Sequence, residues 1–261
     1  MSKLGTWTLA AAAALAAAGV LGPTGLSPGH AAAEVALSPD SPGAPVVVEL
    51  FTSQGCNSCP PADALLGELA GHPGVIALEL HIDYWDYIGW EDPYASPELT
   101  KRQRSYAKRL DLRYVYTPQM VIDGRIDVVG SQRGNVFKAI EKAAAAMKAL
   151  EVRFEQDDGG KIVIPAGHAP DEGAAVWLAV FDRQIETEVL RGENAGRKLV
   201  NSNVVRRLTR IGTWRGEHLE IPFDMAAAAA QGRDGCAVIV QQDPTGAVLG
   251  AAQMPLEALR Q

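Results

Sequence analysis

Cys56-Asn57-Ser58-Cys59 stands where an apolar, β-branched run gives way to a helical pattern. Upstream lies Val46-Val47-Val48-Glu49-Leu50-Phe51, and downstream come Pro60, Pro61, Leu65, Leu66 and Leu69. A strand that feeds a helix through a cysteine pair points to an α/β layer with a reactive corner. Two cysteines separated by two residues can close a small disulfide ring. A helix N-terminus favours negative charge, so it stabilises a thiolate on Cys56. That is the physical requirement for thiol–disulfide exchange. Half a zinc site and a merely structural disulfide are the other uses of such a pair. The absence of a second Cys-x-x-Cys counts against zinc.

Strand and helix signals alternate around this corner. The first strand is expected over 46–51, and the first helix from about Cys59 to Ala70, stopped by Gly71 with Pro73 beyond. A second strand is expected over 75–82. Its even positions Ile76, Leu78, Leu80 and Ile82 make one apolar face, and Glu79 and His81 share the other. An insertion follows over 83–116, opening with Tyr84, Trp85, Tyr87 and Trp90. Ser96-Pro97 starts a helix there as cap and first-turn proline. Lys101, Arg102, Arg104, Lys108 and Arg109 are read as its solvated face. A short strand after Thr117-Pro118, the turn Asp123-Gly124, a partner strand and an alanine-rich helix from Asn135 to about Leu150 complete the first domain.

Beyond Leu150 the texture changes to eight short strand candidates separated by Gly and Pro turns, the pattern of a β-sandwich. Two of these candidates are 174–181 and 185–190, and a third is 203–209. The expected class is therefore α/β: an N-terminal α/β domain (45–150) with a helical insertion, then an all-β sandwich-like domain (151–261).

Lys3, the apolar run from Trp7 to Leu21 and Ala31-Ala32-Ala33 read as a signal peptide over 1–33, followed by an exposed lead-in over 34–44. The apolar run is short for a spanning helix. The expected location is periplasmic or secreted, with no stable membrane association after cleavage. A formal net charge of −7 and no basic run give no footprint for nucleic acid. Three cysteines are too few to staple a chain of 261 residues, so the fold must rest on its apolar core. Cys236 opens an apolar strand and is expected to be buried and inert.

The element order, with Cys56 and Cys59 after the first strand and Thr117-Pro118 before a later one, resembles the thioredoxin superfamily. The strings 49–56, 81–86 and 115–119 resemble something narrower: an exported bacterial family, domain of unknown function number 1223, placed in the thioredoxin-like group. Arg191-Gly192-Glu193-Asn194 extends that likeness into the second half. The resemblance implies a cis Pro118 beside the disulfide, and substrate docking along Thr117 and Pro118 by strand addition. It also implies a buried strand carboxylate, Glu49, that takes the proton of Cys59. Gly55 stands where thioredoxins carry tryptophan, and Asn57-Ser58 replaces Gly-Pro.

Three functions fit these residues. The first is an exported thiol–disulfide oxidoreductase in which Cys56 attacks, Cys59 resolves and Glu49 moves the proton. Gly55, Trp85, Thr117 and Pro118 then meet the thiols or disulfides of other exported proteins. It needs no cofactor beyond the cysteine pair, and a monomer is the default. The second is a copper or zinc chaperone using Cys56, Cys59 and His81; His81, Asp83 and Asp86 are a further candidate set. The third is a non-catalytic binding module with a structural disulfide.

Overall fold

The computed structural model describes residues 44–146, 148, 150–156 and 160–256. The expected signal peptide, and all of the expected lead-in but Ala44, lie outside the described residues. Among the described residues no helix is long and apolar enough to cross a membrane.

β1 (Val46–Thr52) and β2 (Val75–His81) run parallel in full register, with α1 (Pro60–Ala70) as the crossover between them. The insertion carries a 3₁₀ turn at Asp86–Ile88 and α2 (Pro97–Arg109). The Ser96 hydroxyl caps α2 by accepting from the Leu99 amide at 3.2 Å, as the Ser-Pro signal predicts. β3 (Gln119–Ile122) lies antiparallel to β1, and β4 (Ile126–Val129) returns from it across Asp123-Gly124. α3 (Arg133–Ala144) packs behind them, shorter than the expected helix to Leu150.

The second half contributes β5 (Arg153–Glu155), β6 (Lys161–Ile164), β7 (Ala174–Glu188) and β8 (Lys198–Trp214). After these come β9 (Leu219–Pro222), α4 (Met225–Ala230), β10 (Gly235–Gln242) and β11 (Val248–Pro255). One eight-stranded mixed sheet takes the order β11-β10-β7-β8-β2-β1-β3-β4, and β5-β6-β9 form a second sheet. The small sheet lies over β7, β8 and β10 through Ile162, Ile164, Val176, Trp214, Val238 and Val240, which gives the sandwich-like layering. The large sheet is continuous: β8 joins β2 in parallel, with Val204 opposite Glu79. At this junction Asn203 takes a left-handed φ of 50°, a conformation asparagine tolerates. Its amide donates to the Ala77 carbonyl at 2.8 Å.

Parity sorts the core. Val46, Val48, Leu50, Val75 and Ala77 face α1 and α3. Val47, Phe51 and the even residues of β2 face α2 and the strands of the second half. Each such aliphatic side chain, fully buried, contributes about 1.5–3 kcal/mol.

Two local expectations are corrected, and one element is added. The segments 174–181 and 185–190 run together as one strand, β7, which ends at Glu188, because Asp182 and Gln184 stay paired with Val204 and Ser202 of β8 and the chain takes no turn. The alanine run at 226–230 is a helix, α4, capped by Asp224, whose carboxylate accepts from the Ala227 amide at 2.8 Å. Arg102 does not belong to a solvated face. It is 6 % exposed and inserted into the core.

Candidate active site

The cysteine pair lies beyond the C-terminal end of β1, the usual position for a site on parallel strands. Cys56 and Cys59 are disulfide-bonded, with Cα atoms 5.5 Å apart. The loop is built by its own backbone: Cys56 N–H donates to the Ser53 carbonyl at 3.1 Å and Cys59 N–H to the Cys56 carbonyl at 3.2 Å. Both sulfur-bearing residues are covered, Cys56 at 1 % exposure and Cys59 at 0 %, while Asn57 and Ser58 between them are exposed.

Cys59 is the residue before α1, and Pro60 and Pro61 fill its first two positions. Proline has no N–H, so two of the donors that would face a thiolate are missing. The next two amides, Ala62 and Asp63, already donate to the Cys59 carbonyl. The Ser58 hydroxyl oxygen lies 3.4 Å from the Cys56 sulfur, so this hydroxyl can donate to a Cys56 thiolate.

Gly55, Trp85 and Thr117 meet beside this loop. A Cβ on residue 55 would lie 3.1 Å from the Trp85 Cβ, tighter than most real Cβ contacts, so the insertion packs closely where a side chain would stand and would have to give for one to fit. The Trp85 indole N–H donates to the Thr117 hydroxyl at 2.8 Å. The Thr117–Pro118 bond is cis. Phe51 pairs with Gln119, which sets Pro118 level with Thr52 at the same end of the sheet as the cysteines.

Glu49 is elsewhere. It belongs to the face of β1 that looks away from α1, and its carboxylate is taken up by α2. Arg102 forks onto it at 2.6 and 3.0 Å, and the Tyr106 hydroxyl also donates to it. Gln241 of β10 closes the group, accepting from Arg102 at 2.9 Å and donating to Tyr106 at 2.8 Å. The ion pair and its hydrogen bonds satisfy Glu49, and parity separates it from Cys59.

The buried carboxyls on the cysteine side are Asp63 and Glu79, which the sequence reading passed over as proton carriers. Asp63 lies one helical turn after Cys59 and accepts from the Thr52 hydroxyl at 2.7 Å. Burial pushes its pKa up to about 6, against the hydrogen bond from Thr52. Burial, then the neighbouring Asp63 charge, pushes Glu79 well above the usual carboxylate range. Glu79 accepts from the Asn201 amide at 2.7 Å and the Ser202 N–H at 2.6 Å. Both shifts favour the protonated form, which suits the pair to hold a proton beneath the N-terminal half of α1. The readable signal was the i, i+4 spacing of Cys59 and Asp63.

A pH effect follows. A carboxyl whose folded pKa exceeds its unfolded value binds more protons in the native state, so its contribution to stability falls as pH rises through that window. For Asp63 the window runs from 3.8 to about 6, an effect of up to about 3 kcal/mol. Asp63→Asn is expected to remove that loss. Urea unfolding of the oxidised protein at pH 4, 5, 6 and 7 checks it. Equal slopes for wild type and variant would refute the assignment.

His81, Asp83 and Asp86 pin the insertion. His81 Nδ1 lies 2.7 Å from Asp92, whose carboxylate also accepts from the Gln54 and Tyr94 amides. Burial opposes ionisation of Asp92, but the attraction of His81 and these donors outweigh it and hold its pKa below the ordinary value. Asp83 accepts from Thr100 at 2.7 Å, and Asp86 from the Asp92 amide at 3.2 Å. Among the described residues no group of three or more His, Cys, Asp or Glu is arranged to hold a metal ion. Cys236 is buried, and desolvation pushes its thiol up to about 12.

The loop after β7 also reaches this site. Asn194 is fully buried and its amide nitrogen donates to the carbonyls of Gln54, at 2.9 Å, and Cys56, at 3.0 Å. Its amide oxygen accepts from Arg197 at 2.9 Å.

Together these features define a mixed α/β protein with a Cys-x-x-Cys disulfide at a strand–helix junction and a β-rich second half docked onto it. The chain belongs to the family described as Protein of unknown function (DUF1223), whose pattern matches residues 47–241. A crystal structure of a protein from Agrobacterium tumefaciens is similar to it, with 32 % identity and a TM-score of 0.70. That match covers 81 % of this chain and 94 % of the other. HBP35 of Porphyromonas gingivalis is similar in fold alone, at 12 % identity and a TM-score of 0.50, over 81 % of this chain and 75 % of that one. No curated protein matches the sequence.

Proposed function

We propose that the protein is an exported thiol–disulfide oxidoreductase acting through Cys56 and Cys59 on the thiols or disulfides of other exported proteins. The observation that carries this is the bonded pair at the start of α1 with two buried carboxyls, Asp63 and Glu79, beneath it, whose burial favours the protonated form. In the oxidising direction a partner thiolate attacks Cys56 Sγ. The Sγ–Sγ bond breaks, and Cys59 leaves as a thiolate and takes a proton from the carboxyl pair. The second partner thiolate then attacks the partner sulfur of the mixed disulfide. Cys56 leaves as a thiolate, the partner holds the disulfide and two electrons rest on the protein. The two protons that the partner thiols gave up to solvent return to the Cys56 thiolate and the emptied carboxyl pair. The reducing direction is the reverse. No cofactor is required. Gly55, Trp85, Thr117 and Pro118 form the docking shelf. Asp63 takes the proton role assigned to Glu49 from the sequence.

Burial of both sulfurs favours a second reading, a non-catalytic module with a structural disulfide. The reduction potential separates the two. A glutathione-buffered titration of the mature protein, read by thiol alkylation and mass, is expected to fall between about −120 and −270 mV. A value below about −300 mV would establish the structural disulfide instead.

A further inference from the structure

We infer that Asn194 is a latch on the disulfide loop: it positions Cys56, and its release sets how readily a reductant reaches the sulfur. The inference deepens the exchange reading and rests on it for its biological sense.

Attack on a disulfide needs an approach to one sulfur along the S–S axis, so access enters the rate directly. Here Cys56 is 1 % exposed although its neighbours Asn57 and Ser58 reach solvent. Reaction therefore requires the 53–59 loop or its surroundings to shift. Asn194 resists that shift. Both N–H groups of one amide are spent on two carbonyls of the loop, those of Gln54 and Cys56. The amide orientation is unambiguous, since only the nitrogen can face two carbonyls while the oxygen faces Arg197. Buried bonds of this kind cost more to break than exposed ones, because a carbonyl freed in the interior finds no water. The Cys56 carbonyl keeps the Cys59 N–H, so the larger loss falls on the Gln54 carbonyl.

The latch is part of a docked hairpin tip. Val189 and Arg197 close the tip, with Val189 N–H donating to the Arg197 carbonyl at 2.9 Å. Gly192 has a φ of 77°, and a Cβ on it would lie 3.2 Å from the Trp90 Cβ. Gln54 is gripped from the same side: its amide donates to the Thr187 hydroxyl at 3.0 Å, and its oxygen accepts from the Trp90 indole at 3.0 Å. The tip thus ties the disulfide loop to β7, β8 and the insertion at once. The charges facing Asn194 do not compete with these bonds, since the neighbouring Arg197 donates to its free oxygen.

The test is the rate of disulfide reduction in the mature, oxidised protein by tris(2-carboxyethyl)phosphine, which works from acid to alkaline pH. The phosphine attacks sulfur, the S–S bond breaks, and water supplies the oxygen of the phosphine oxide and the protons of the two thiols. Quenched alkylation and mass spectrometry follow the loss of disulfide. Asn194→Ala is expected to raise the second-order rate constant at least tenfold. Asn194→Asp removes both donated N–H groups and places a carboxylate against two carbonyls, so it is expected to accelerate reduction at pH 8 at least as much as Asn194→Ala. Gly192→Val lifts the tip from Trp90 with Asn194 retained and is expected to accelerate reduction as well. Leu66→Ala, a core change away from the latch, is expected to leave the rate within twofold of wild type. A folded Asn194→Ala or Gly192→Val protein reduced at the wild-type rate overturns the inference, as does equal acceleration by Leu66→Ala. The phosphine reduces structural and exchanging disulfides alike. A potential below about −300 mV would therefore remove the exchange reading and leave the latch to be judged by these rates alone.

Discussion

Arg102→Met is expected to destabilise the protein by about 3–5 kcal/mol, the usual effect of removing one partner from a buried ion pair. The cause lies in what remains. Glu49 is 1 % exposed and would keep a charge with no cation and no water beside it. Tyr106 and Gln241 would lose the guanidinium that orders them, and Trp177 the cation 5.3 Å from its ring centroid. Methionine keeps most of the volume, so the loss reports electrostatics more than a cavity. Adding Glu49→Gln in the same chain is expected to restore part of the stability, because the orphaned charge is then gone. Equilibrium urea unfolding of the single and double variants measures both. A single variant within 1 kcal/mol of wild type would show the pair to be without weight in the fold.

The second large effect is chemical. If the exchange reading holds, Cys59→Ser leaves Cys56 able to attack a partner disulfide, displace one partner sulfur and form a mixed disulfide. No thiol is then placed to attack Cys56 Sγ and free the partner. Adducts are expected to accumulate in the exported fraction, visible as thiol-sensitive bands of higher mass, and turnover should fall to the uncatalysed rate. Cys56→Ser should give none. Cys236 cannot substitute, since it is buried and its thiol stays protonated. Adducts with Cys56→Ser, or none with Cys59→Ser, would count against Cys56 as the attacking residue.

The strongest local signals in the sequence led to the right structure. The cysteine pair, the Ser96 cap, the Asp123-Gly124 turn and the even–odd split of β2 each depend on neighbours within a few residues. What was hidden depends on distant partners. β1 is buried along its whole length, so its sequence lacks the alternation that would say which face α1 covers. The side of Glu49 was therefore undetermined until α2 and β10 were in place. Arg102 looked like one more cation on a basic helix, because its partner lies 53 residues upstream. The same holds for Asn194, whose bonds span 140 and 138 residues. The unity of β7 was obscured by three polar residues that a strand edge accommodates without turning.

The parallel junction of β8 with β2 has a consequence for synthesis. Val204 reaches its place beside Glu79 only after more than a hundred further residues have been added. At ordinary elongation rates that is on the order of ten seconds. Through that interval β2 has a bare flank, and Glu79 lacks both of the donors it later receives from Asn201 and Ser202. An unpaired strand edge is a template for another chain. The nascent polypeptide, more than the finished protein, is the form in which strand-on-strand association between copies has to be prevented.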